Sequence, residues 1–146
     1  MISNLIIVAV ILGIGFGVWS SYSAGSEQSK ATLRQTGKCF RPVAGESSYV
    51  NALSTLAGGR KQSGRGLECM ATLICEEDNR FDANAVRVDI SGKTVGYLMP
   101  MDAEEYRRRM QAAGRGAQAE RVAARISGGG DGRHYGVWLD LPDRIV

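Results

Sequence analysis

Residues 78–98 read DNRFDANAVRVDISGKTVGYL, and their pattern decides the fold. An acidic, asparagine-containing turn runs into NAVRVDI (84–90), where Ala85, Arg87 and Asp89 alternate with Val86, Val88 and Ile90. A period of two places the branched apolar residues on one face of a strand and the charges on the other. Ser91-Gly92 is a two-residue hairpin loop, and KTVGYLM (93–99) returns as the second strand. The turn itself has two readings. Asp82 and Asn84 suit an Asx-type turn with Phe81 packed on a rim, and the same residues suit a turn that holds a ligand.

Outward from this hairpin, LECMATLICEE (67–77) alternates as a strand, with Leu67, Cys69, Ala71, Leu73 and Cys75 on its more apolar face. CFRPVAG (39–45) is a short strand in which Pro42 marks an edge or a bulge. Between them SSYVNALSTLAGG (47–59) has helical spacing at Tyr49, Leu53 and Leu56, with Ser47 or Ser48 as N-cap and Gly58 as the stop. RKQSGRG (60–66) reads as a polar, basic loop. MDAEEYRRRMQAAG (101–114) is the clearest helix. Asp102 at N-cap and Glu105 at N3 form a capping-box pattern, and Tyr106, Met110 and Ala113 line one face. Arg107, Arg108 and Arg109 fan over about 200°, which predicts a solvated face partly paired with Glu104 and Glu105. RVAARIS (121–127) and HYGVWLDLP (134–142) are strands around the loop GGGDGR. Six strands and two helices in this order predict an α+β domain, a small and mostly antiparallel β-barrel.

The first 19 residues, MISNLIIVAVILGIGFGVW, carry no charged side chain and as a helix would span close to the ~30 Å hydrocarbon core. A cleaved signal peptide competes with a retained anchor. No Lys or Arg precedes Leu5, so the retained transmembrane anchor at 1–19 is favoured, with Trp19 and Tyr22 at the headgroup level. Lys30, Arg34 and Lys38 follow the span, which predicts a cytoplasmic C-terminal side. Gly13 and Gly17 make a GxxxG pair through which two anchors would dimerise, although glycine is common in membrane helices anyway. Residues 20–37 are poor in large apolar groups and read as a flexible linker, leaving 38–146 as one domain with one core.

Of the formal charge of +3, residues 1–38 carry +2, and residues 39–146 hold 15 Lys and Arg against 14 Asp and Glu. A domain near neutrality lacks the footprint of a general nucleic-acid binder. Three cysteines do not suggest a disulfide framework, and Cys69 and Cys75, six apart in one strand, lie too far apart to bridge. With one histidine and no CxxC pair, neither a zinc ligand set nor any other cofactor site is legible. No paired carboxylates and no activated nucleophile support an enzyme.

The run 78–98, with VAGESSYVNAL before it and ARISGGGDGRHYGVWLDLP after it, resembles the HIRAN domain, whose N-P-x-D-x-N-A-[IV]-x-V hairpin is followed by V-G-[YH]-[LI]. The likeness runs from about Phe40 to Pro142. It implies an OB-like barrel that grips 3′ ends of single-stranded DNA. By that resemblance Phe81 is the stacking platform, Asp82 the acceptor of the terminal hydroxyl and Arg41 a phosphate contact, with Asn79 and Tyr97 completing the nucleic-acid-binding set. Three positions depart from the pattern. Arg80 replaces the turn proline, Pro42 replaces a second stacking aromatic, and Met99 and Pro100 stand where polar or basic residues are expected. Related domains precede Swi/Snf-type ATPases, but no GxxxxGK[ST] is present, so ATPase activity would have to come from a protein partner. Two functions follow as expectations: a membrane-tethered module for nucleic-acid ends, or the same barrel recruiting a protein at the membrane.

Overall fold

A computed structural model describes residues 36–116, 118–130 and 133–141. The expected anchor at 1–19, its Gly13 and Gly17 pair and nearly all of the expected linker lie outside the described residues. Among those described, no helix is long and apolar enough to cross a membrane.

Six strands close into one antiparallel barrel. In chain order the elements are β1 (Arg41–Ala44), a 3-10 turn (Glu46–Tyr49), α1 (Val50–Leu56), β2 (Gln62–Cys75), β3 (Val86–Ile90), β4 (Lys93–Leu98), α2 (Pro100–Ala112), β5 (Glu120–Gly128) and β6 (Tyr135–Leu139). Around the barrel the order is β1-β4-β3-β2-β5-β6, with β1 sealing against both neighbours. Closure gives every strand a partner on both sides, which limits the exposed ladder edge that is the usual liability of a small sheet.

The strands form because their alternation fits a closed interior. In β3, Val86, Val88 and Ile90 are buried while Arg87 and Asp89 lie between them on the outside. The β3–β4 hairpin turns at Ser91 and Gly92, whose φ values of 49° and 73° are those of a two-residue primed turn. β2 carries the barrel, pairing with β3 through Ala71–Cys75 and with β5 through Gln62–Leu73. Tyr106 and Met110 of α2 and Leu53 of α1 complete the core.

Four local expectations are corrected. β2 begins at Gln62, not after the basic loop, because Gln62 pairs with Gly128 and the ladder resumes beyond an irregularity at Leu67. α2 begins at Pro100, with Met99 as N-cap and Asp102 inside the first turn. Pro at the first helical position has no N–H to leave unsatisfied, so it starts the helix ahead of the capping-box pattern. The first helical segment opens as a 3-10 turn after Gly45, with no serine cap. Pro42 sits inside β1, and since β1 gives only two residue pairs to each neighbour, a missing donor removes little of either ladder.

Candidate nucleic-acid interface

The turn between β2 and β3 is built around Glu76. Its backbone N–H donates to the Ala85 carbonyl at 3.0 Å, closing the turn where the two strands meet. Its carboxylate accepts from three side chains: Asn79 Nδ2 at 2.8 Å, Arg87 Nη1 at 3.1 Å and the Tyr97 hydroxyl at 3.5 Å. Asn79 Oδ1 in turn accepts the backbone N–H groups of Phe81 at 2.9 Å and Asp82 at 3.0 Å. Asp82 Oδ1 accepts from the Asn84 N–H at 2.8 Å, and the Asp82 carbonyl accepts from the Ala85 N–H at 3.1 Å. Short polar side chains here replace the backbone ladder as hydrogen-bond partners, which is why the excursion from Glu76 to Ala85 keeps one shape.

This geometry separates the five sequence-derived residues. Asn79 is a strut: both ends of its amide are used inside the turn. Phe81 is fully exposed, its N–H tied down while its ring touches nothing that holds it. Asp82 spends one carboxylate oxygen on Asn84. Tyr97 joins them through Glu76, and its ring lies 6.5 Å from that of Tyr49 at 48°. Burial first, then the hydrogen bond with Tyr49 and the charge of Glu76, push the Tyr97 phenol up to about 12, so it stays a neutral donor. Arg41 stands apart from the turn, pairing with Asp102 at 3.2 Å and lying 5.5 Å over the Phe40 ring.

Two residues central to this arrangement were not read from the sequence. Glu76 looked like the polar end of a strand. Arg107 was expected on a solvated face and is instead buried, 9 % exposed. Its Nη1 donates to the Ala85 carbonyl at 3.2 Å and its Nη2 to Glu77 Oε1 at 3.1 Å, so α2 grips the turn from beneath. The signal was present: Ala103, Tyr106, Arg107 and Met110 are the buried residues of α2 and fall at i, i+3, i+4 and i+7. Arg108 follows the expectation, pairing with Glu105 on the surface, and Arg109 is half-exposed.

At the other end of β1, the carboxylate of Asp140 binds the incoming chain. Oδ1 accepts from the Thr36 N–H at 3.0 Å and hydroxyl at 2.6 Å, and Oδ2 accepts from the Gly37 N–H at 2.7 Å. Burial alone would raise the Asp140 acid; the bonds from Thr36, Gly37 and Lys38 outweigh it and hold the carboxyl below its ordinary value. Comparison of the chain with family models, curated proteins and solved structures finds no match.

Proposed function

We propose that this chain is a membrane-tethered, HIRAN-like module whose OB-like barrel recognises single-stranded nucleic-acid 3′ ends through the Glu76–Ala85 turn. One observation carries the reading: a fully exposed phenylalanine on a turn whose backbone is tied on both sides of it. A ring that gains nothing from packing yet sits on rigid backbone is preorganised for a planar partner, and base–aromatic stacking is worth roughly 1–3 kcal/mol. Asp82, one residue on, supplies an acceptor for a terminal hydroxyl. The anchor would hold the module at the cytoplasmic face, with any ATPase activity supplied by a partner.

A second reading has its own support. Met101 is largely exposed and Met99 partly so at the start of α2, and flexible exposed thioethers suit a protein partner. Fluorescence anisotropy of the detergent-solubilised full chain separates the two. Labelled single strands ending in a 3′-hydroxyl should bind more tightly than the same strands ending in a 3′-phosphate, whose charge faces Asp82. Equal and negligible binding of both would leave recruitment of a protein as the function.

A further inference from the structure

The barrel carries opposite charge at its two ends. β2 joins them, running 14 residues from Gln62, paired with Gly128, to Cys75, paired with Val86. At the Gln62 end, the loops at 58–66 and 128–134 hold four cations, Arg60, Lys61, Arg65 and Arg133, against one acid, Asp131. At the Cys75 end, the turn at 76–85 holds four acids against one cation. Outside the two basic loops, residues 39–146 hold 11 Lys and Arg against 13 Asp and Glu, so a near-neutral total belongs to a polarised molecule.

The fold brings the two basic loops together. The Tyr135 hydroxyl donates to the Arg60 carbonyl at 3.4 Å, and a Cβ on Gly130 would meet Lys61 Cβ at 2.7 Å. The Arg133 N–H closes a turn on the Gly130 carbonyl at 2.9 Å. Arg60, Lys61 and Arg133 are all exposed, and none of them is paired with an acid among the described residues. Eight of the 16 residues in the two loops are glycine, so few side chains stand between these cations and a flat surface. Neither loop contains an aromatic residue, and Tyr135 beside them is buried.

We infer that this end of the barrel docks on the anionic phosphate headgroups of the bilayer. The inference rests on the membrane-tether part of the proposed function. Unpaired cations need only a negatively charged surface, whereas a single strand gains much of its affinity from stacking, for which these loops offer no ring. The tether makes the encounter local. As a random coil, residues 20–35 would reach about 20–24 Å before Thr36, which Asp140 binds one residue past the end of β6. The basic end lies at the start of β6, about 17 Å away at strand rise and within that reach. An anionic leaflet then attracts the basic end and repels the acidic turn, leaving Phe81 and Asp82 turned away from the bilayer and open to a ligand.

The test uses the full chain in lipid nanodiscs, made of phosphatidylcholine alone or with phosphatidylserine, and reads amide hydrogen exchange. With phosphatidylserine, exchange at 58–66 and 128–134 should slow while the turn at 76–85 is unchanged, and high salt should abolish the difference. Each cation near an anionic surface shifts the docking equilibrium roughly five-fold. Arg60→Gln combined with Arg133→Gln should therefore cost about 25-fold and remove the protection. Both side chains are exposed and unpaired, so thermal melts should match the unmodified chain. Identical exchange in the two lipids, from a chain that co-elutes with the discs, would overturn the docking surface and keep the tether. A chain that does not enter the discs would overturn both. Protection of the same loops by a single-stranded oligonucleotide, and not by phosphatidylserine, would also overturn the inference and assign that end to nucleic acid.

Discussion

Arg107 reaches from the buried stripe of α2 to the Ala85 carbonyl, 3.2 Å from its Nη1, at the residue where the turn rejoins β3. That contact makes the helix and the turn one unit. The shape of an exposed loop thus depends on a side chain that no ligand would touch.

Arg107→Met keeps the apolar stem and removes the donors. Loss of a charged donor to a buried carbonyl, together with the Glu77 pairing, should cost about 2–3 kcal/mol, read as a lower urea midpoint. Any discrimination between 3′-hydroxyl and 3′-phosphate ends should fall with it, since the Ala85 end of the turn that carries Phe81 and Asp82 loses its anchor to α2.

Phe81→Ala removes a ring that packs on nothing, so stability should stay within about 0.5 kcal/mol while oligonucleotide affinity falls by roughly 1–3 kcal/mol. Asp82→Asn keeps an acceptor for the Asn84 N–H and should cost no more than ~1–2 kcal/mol of stability. Its signature should be lost end discrimination. Thermal melts beside anisotropy titrations check both variants.

The Asp140 latch gives a pH dependence of defined sign. Its carboxyl is held below the ordinary 3.8, so the unfolded chain binds the proton more readily. The latch contribution is therefore complete well above 3.8 and disappears as pH falls through the lower folded-state value. Urea unfolding followed from about pH 6 to about pH 2 should show this acid loss, and Asp140→Asn should flatten that limb. An acid limb identical in the two proteins would assign it to other carboxylates. Fragments of the domain should keep Thr36 and Gly37, the latch's partners.

Gly96→Ala should be the most damaging of these single-residue changes. Gly96 has φ 152° at the irregular step of the β3–β4 ladder, and a Cβ there would overlap the Val43 side chain and lie 2.5 Å from the Ala44 carbonyl. Opening the seam between β1 and β4 should cost about 2–4 kcal/mol, measured by chemical denaturation.

By itself the sequence determined the strands, the hairpin and the barrel class. Alternation in 84–90 and 67–75 and the chemistry of Ser91-Gly92 act over a few residues, and a short apolar period has few ways to be buried. The display of the turn was partly legible too, since Asp82 and Asn84 bond within their own neighbourhood. Only tertiary structure decided what the long side chains do. Arg107 could lie in water or reach a carbonyl 22 residues away in sequence, and Asp140 meets its donors across 104 residues. Burial of such groups depends on partners that arrive only when the barrel closes, because desolvating a charge is favourable only where those donors and acceptors already wait. Local pattern sets which face of a strand turns inward; the closed barrel alone sets which charges follow.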